Sequence, residues 1–406
     1  MGRVLPVNLL CLSNLSAVCS IGCGIDQIVD SLQHERSGLS PCQYGDADLP
    51  TFIGRVSEVE RVKVPDCLRR FDCRNNRLAE LALTQDGFAD AVGRLRRRYG
   101  AHRIGVFLGT SSSGITAAEE AYRERKGGHE QLSEQFDYPS TLNFYSVVAY
   151  VRERLGIQGP SAVIGCACAS SAKALASARR MILSECIDAA VVGGVESLCL
   201  TSLYGFQSLQ LCSAAPCRPF DRERDGLSLG ESAAFAILER GSRQSECDAL
   251  LLGVGESSDG YHMSSPHPQG LGAEKAMRAA ISCAGLSPSS IDYINLHGTG
   301  TRANDLAEGR AVKNVFGSGL PCSSTKGLTG HTLGASGALE CVLSAIALKS
   351  CVMPAGRPTT QVDPACGVNY LTEPRSGTLN FVMSNSFGFG GANCSLVLGA
   401  STLLTH

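Results

Sequence analysis

Residues 161–183 read SAVIGCACASSAKALASARRMIL. The run Ala162–Gly165 has the length and composition of a buried strand, and the stretch from Ala169 to Leu183 that of a helix. Ala and Ser fill most of the first half of that helix, so it can lie very close to another element and is expected to be buried. Between the two elements sits a turn carrying Cys166 and Cys168. A thiol at a helix N-terminus meets the positive end of the dipole and unpaired N–H groups, which lower its pKa and favour the thiolate. Cys168 is therefore a candidate nucleophile. The chain holds 19 cysteines, and any one of them is more often a small buried hydrophobe.

The strand–helix alternation continues on both sides. Upstream lie Ile104–Gly109 and Ser146–Leu155; downstream lies Ala189–Gly194. After Glu239 a polar stretch, Gly241–Asp248, interrupts the pattern. It resumes with strand 249–255, helix 273–284, strand 292–296 and helix 335–349. The fold class is α/β, and the core is expected to divide into 1–245 and 246–406. At 406 residues, with 44% hydrophobic and 18% charged residues, the chain is too long for a disulfide scaffold and too apolar for extended disorder. A net charge of −2 argues against binding nucleic acid through phosphate neutralisation. The odd cysteine count without a CxxC pair points to reduced thiols and a cytoplasmic location. Val4 to Val18 imitates a leader, but Asn8, Ser13 and Asn14 break its apolar run, and Gly22 to Leu32 continues as turn and helix. No uninterrupted apolar stretch is long enough to predict a membrane span.

The helix 335–349 is apolar nearly all round and reads as a core helix, yet Glu340 sits inside it. A buried carboxylate needs a cation or hydrogen-bond donors, and Lys326 is the natural partner. Two histidines fall on irregular backbone at element ends: His297 in NLHGTGT (295–301) and His331 closing SSTKGLTGH (323–331). One such histidine is usually just a satisfied polar residue; two with a candidate thiol form a constellation. NSFGFGG (385–391) reads as a glycine-rich loop after strand 381–383. It matches neither phosphate-binding glycine pattern. Cys166 and Cys168 are not read as a metal pair, and no metal site is expected.

Together these segments, with RPFD (218–221) and RDG (224–226), resemble the ordered motifs of the β-ketoacyl-acyl carrier protein synthases over about residues 50–400. The resemblance implies a thiolase fold: two similar α/β halves in a five-layered αβαβα arrangement, usually dimeric. It implies that Cys168 takes an acyl chain as a thioester, and that His297 and His331 support decarboxylation of a malonyl-carrier donor. By the same resemblance, the backbone N–H groups of Cys168 and Phe389 form an oxyanion hole, and Lys326 and Glu340 form a charged pair. Thr299 and Thr301 match positions that hold the phosphopantetheine arm. Phe389 matches a ring gating the acyl pocket, which Phe206 and Ser112 help to shape.

No cofactor beyond the phosphopantetheine of acyl carrier protein is implied. That carrier is acidic, so its docking face should be basic. Arg69 and Arg70 match a docking segment, and Arg123, Arg125 and Lys126 form a second cluster. The opening strand lacks the usual glycines, Ser232 stands where glycine is common, and the Cys-Ala-Cys-Ala-Ser run differs from the commoner threonine-containing one. These departures point toward a specialised polyketide or polyene pathway, with a homodimer or a heterodimer containing a ketosynthase-like subunit. Two alternatives remain. A thiolase would carry a second cysteine where Phe387 and Phe389 stand, and a non-catalytic chain-length factor would lack Cys168.

Overall fold

The structure is a computed structural model that describes residues 9–125, 132, 136–241 and 246–404. The runs read as strands and helices form as such, at boundaries shifted by a few residues. Strands Ser161–Ile164, Ile104–Gly109, Ala189–Glu196, Ser232–Arg240 and Leu10–Cys19 lie side by side in that order; the first three are parallel and each later pairing is antiparallel. Strands Pro321–Ser323, Tyr293–Asn295, Phe381–Gly388, Ala392–Ala400 and Ala249–Ser258 repeat the same order and directions. Asn369–Tyr370 extends the outer edge of this second set. Pairing of Leu10–Leu12 with Ala249–Leu251 joins the two sets into one sheet. From Leu10 on, the segment that imitates a leader thus contributes an interior strand.

Two helices, Ser170–Leu183 and Ser336–Ser350, fill the space between the inner faces of the two strand sets. Leu175 and Ile182 from one helix meet Leu339, Val342 and Leu343 from the other, together with Val192, Leu238, Val382 and Leu396 from the strands. Each such side chain contributes about 1.5–3 kcal/mol by leaving water. Helices Arg74–Leu83, Phe88–Tyr99 and Ser146–Leu155 cover the outer face of the first set, and Leu271–Cys283 and Arg302–Phe316 that of the second. The αβαβα layering implied by the resemblance is what these residues build. Leu333–Ser350 is long and apolar enough to cross a membrane by length and composition, but 89% of it is buried inside the protein as half of the central layer.

One element differs from its sequence reading. The strand from Phe381 runs on to Gly388 and turns through 389–391 into Ala392–Ala400, so Asn385–Gly388 is strand rather than loop. Its polar run imitated a loop because Ser384, Asn385 and Ser386 are all buried. Asn385 is held there by hydrogen bonds to Glu308 and from Ser395.

The small residues of the central helices serve a close crossing. A Cβ on Gly337 would stand 2.7 Å from Ala172 N and 2.8 Å from Ala172 Cβ. Next to it, the amide of Ala338 donates to Ser171 Oγ at 2.9 Å. We expect Gly337→Ala to destabilise the protein by about 1–3 kcal/mol, despite the higher helix propensity of alanine, because the backbone of the facing helix blocks the new methyl group. Urea melts check this; an unchanged midpoint would show that the helices can part at no cost.

Candidate active site

Cys168 precedes its helix on a tight turn. Ala167 adopts φ 47°, a left-handed conformation that costs a non-glycine residue about 1–2 kcal/mol. Ser170 holds the turn: its hydroxyl accepts from the Cys166 amide at 2.9 Å, and its own amide donates to Ala167 O at 3.1 Å. The close helix crossing then brings the start of the second helix alongside, and His331 lies just upstream of that start. His331 Nε2 stands 3.1 Å from Cys168 Sγ.

The thiol environment differs from the sequence expectation. Cys168 is buried, and burial pushes its pKa up to about 12; Lys326 and the Phe389 amide pull it down, while Glu196 and Glu340 push it further up. Desolvation outweighs the local donors, so the resting side chain is a neutral thiol.

His297 and His331 are both buried, with ring centroids 5.2 Å apart at 81°. Burial holds both imidazoles well below their usual pKa. The charge of Lys326 adds to this for each, so both rings are neutral at pH 7. Lys326 Nζ donates to the His297 carbonyl and lies 3.5 Å from His297 Nδ1. An ammonium has only donors, so Nδ1 accepts and the ring proton sits on Nε2. The His297 turn is fixed from below by Glu308, which accepts the amides of His297 and Gly298, each at 2.8 Å. Burial raises Glu308 to about 7 against those donors.

Lys326 and Glu340 meet as the sequence argument requires: they form an ion pair with both side chains at 3% exposure or less. Burial raises the Glu340 carboxyl to about 7, opposed by Lys326. The donor atoms of Cys168, His297 and His331 lie within 4.8 Å of one another, a set that suits a soft cation, but Lys326 beside His297 opposes a dication there.

A cleft opens onto the thiol, lined among others by Phe206, Thr299, Thr301, Phe387 and Phe389. Phe206 and Phe389 pack at 5.7 Å between centroids, and the hydroxyls of Thr299 and Thr301 bond each other at 2.8 Å. Ser112 is not among the cleft's lining residues. Its hydroxyl instead donates to the buried carboxylate of Glu196, because a buried acid without a cation draws every nearby donor. Of the basic residues, Arg69 is exposed, Arg70 pairs with Glu153 at 2.5 Å, Arg123 lies 3.7 Å from Asp46, and Arg125 stacks over Tyr122. Lys126 lies outside the described residues. The sequence reading missed Glu196 and Glu308, although Glu196 closes the apolar run Ala189–Val195 and so carried the same signal as Glu340.

Removing either Lys326 or Glu340 should cost about 3–5 kcal/mol by stranding a buried charge, and the double variant should lose less than the sum. Urea melts of the four proteins measure this. Strictly additive losses would mean that the pair contributes no coupling.

The chain is similar to known proteins. Residues 76–244 match the family description "Beta-ketoacyl synthase, N-terminal domain", and residues 249–360 match "Beta-ketoacyl synthase, C-terminal domain". The 3-oxoacyl-[acyl-carrier-protein] synthase 2 of Coxiella burnetii is 32% identical over 413 aligned residues, covering 95% of this chain and 97% of that protein. A solved ketosynthase (ApeO) in complex with its chain length factor (ApeC), from Xenorhabdus doucetiae, has a chain 35% identical with a TM-score of 0.86, covering 98% of this chain and 100% of its own. A beta-ketoacyl synthase from Burkholderia phymatum is 29% identical with a TM-score of 0.85, over 97% and 100% of the two chains. The fold is the thiolase fold of these ketosynthases, and the chain belongs to the beta-ketoacyl synthase family.

Proposed function

We propose that this chain is a β-ketoacyl-acyl carrier protein synthase, catalysing decarboxylative Claisen condensation in type II fatty-acid or related polyketide and aryl-polyene synthesis. The observation that carries the reading is the set Cys168, His297 and His331: one thiol and two neutral imidazoles in a single buried cleft. The nucleophile half, 1–245, and the histidine half, 246–406, each supply part of it.

In the first step Cys168 Sγ attacks the acyl-carrier thioester, and the C–S bond to the phosphopantetheine sulfur breaks. With the resting thiol protonated, its proton must leave as the new bond forms. The departing phosphopantetheine sulfur takes it up and leaves as the carrier thiol. Malonyl-carrier then enters, its arm lying against Thr299 and Thr301. The thioester oxygen accepts hydrogen bonds from His297 Nε2–H and His331, the bond to the carboxylate breaks as CO₂ leaves, and the electron pair forms an enolate. A neutral imidazole stabilises that enolate without protonating it as a strong acid would. The enolate carbon attacks the acyl carbonyl on Cys168, the amides of Cys168 and Phe389 hold the oxyanion, and collapse returns the sulfur, which takes up one proton.

The partner is an acidic acyl carrier protein, with Arg69, Arg70, Arg123, Arg125 and Lys126 as docking candidates. The edge strand Ser161–Ile164, half-buried along its length, supports a second subunit: another copy, or a chain-length factor such as the one ApeO binds. Nineteen cysteines without a disulfide fit the reducing cytoplasm. Cys168 speaks against this chain being the non-catalytic subunit.

Cys168→Ala should abolish acyl loading while Cys166→Ala keeps most of it; intact mass after incubation with a panel of acyl carriers measures this, and an acyl group mapped to Cys166 would sink the assignment. His297→Ala and His331→Ala should impair condensation more than loading in single-turnover assays. If both fail to load as completely as Cys168→Ala, the histidines activate the nucleophile or support folding instead.

A further inference from the structure

Glu196 ends the strand Ala189–Glu196 with its carboxylate fully buried. The four hydrogen bonds described for it come from uncharged donors. Oε2 accepts from the amide of Ser111 at 2.7 Å, its hydroxyl at 2.8 Å and the amide of Gly334 at 2.9 Å; Oε1 accepts from the Ser112 hydroxyl. Ser111 and Ser112 follow the strand Ile104–Gly109 in the nucleophile half, whereas Gly334 is three residues beyond His331 in the other half. The backbone between them is strained: Leu333, a branched residue, sits at φ 44° and is buried beside Cys168 in one apolar cluster. Gly334 admits no side chain, since a Cβ would stand 2.4 Å from Glu196 Oε2 and 2.5 Å from Ser111 N.

We propose that Glu196 is a positioning residue: its carboxyl group clamps the strained turn after His331 to the nucleophile half. The Gly334 bond ties a turn of one half to a strand end of the other. Ser111 and Ser112 hold the same carboxyl group from the nucleophile half, so the turn that carries His331 is fixed relative to the elements around Cys168.

The catalytic part of this inference rests on the function proposed above; a readout of the His331 ring needs no substrate, so the two can fail separately. Glu196→Asp withdraws the carboxyl group by one methylene from Gly334, whereas Glu196→Gln keeps an acceptor oxygen at the same reach. Glu196→Asp should lose tenfold or more of CO₂ release from a malonyl carrier, with acyl loading of Cys168 less affected, and Glu196→Gln should recover most of that loss. Without substrate, the NMR ring resonances of His331 should shift in Glu196→Asp while those of His297, whose turn Glu308 holds, stay in place. Unmoved His331 resonances or parent-like CO₂ release by Glu196→Asp overturns the clamp. If Glu196→Asp does not fold, Gly334→Ala, whose methyl group would meet Glu196 Oε2 at 2.4 Å, should shift the same resonances and lose CO₂ release; parent-like behaviour there overturns the proposal.

Discussion

The contact on which the rest depends is the crossing of the two central helices, where Gly337 lies against Ala172 and Ser171 caps the approach through the Ala338 amide. Cys168 stands two residues before one of these helices and His331 five residues before the other. Their 3.1 Å contact therefore exists only while the helices stay at this spacing. Larger side chains at the crossing would drive the thiol and the imidazole apart before they disturbed either residue directly. The same spacing explains why alanine, serine and glycine dominate the first turns of both helices: a few methylene groups of lost packing are exchanged for proximity.

Burial sets the chemistry of the site more than any single partner does. It raises the thiol and the carboxyls of Glu308 and Glu340, and it lowers both histidines, so the resting cleft holds a neutral thiol and two neutral imidazoles beside the Lys326–Glu340 pair. Neutral imidazoles are what an enolate requires, since hydrogen-bond donors that are weak acids stabilise the charge without quenching the carbon nucleophile. The cost falls on the thiol, which has no ready base and must lose its proton in the step that forms the new bond. Two buried acids, Glu196 and Glu308, do comparable structural tasks on either side: each gathers backbone amides near a catalytic candidate and stiffens the turn that carries it.

The amino-acid sequence by itself determined the alternation of strands and helices, because periodicity and composition are local properties. It also determined the small-residue helix behind Cys168 and the need of Glu340 for a partner. Lys326 could be named as that partner on charge alone, and the ordered motifs marked both histidines. Only the tertiary structure decided what depends on packing at a distance. The thiol is raised rather than lowered, because a helix terminus acts locally whereas desolvation comes from every element around it. Ser112 turns away from the cleft to Glu196, a residue 84 positions along the chain. Asn385–Gly388 is strand despite its polar start, since the hydrogen-bond partners of the Asn385 side chain come from a helix and a neighbouring strand that no short window contains.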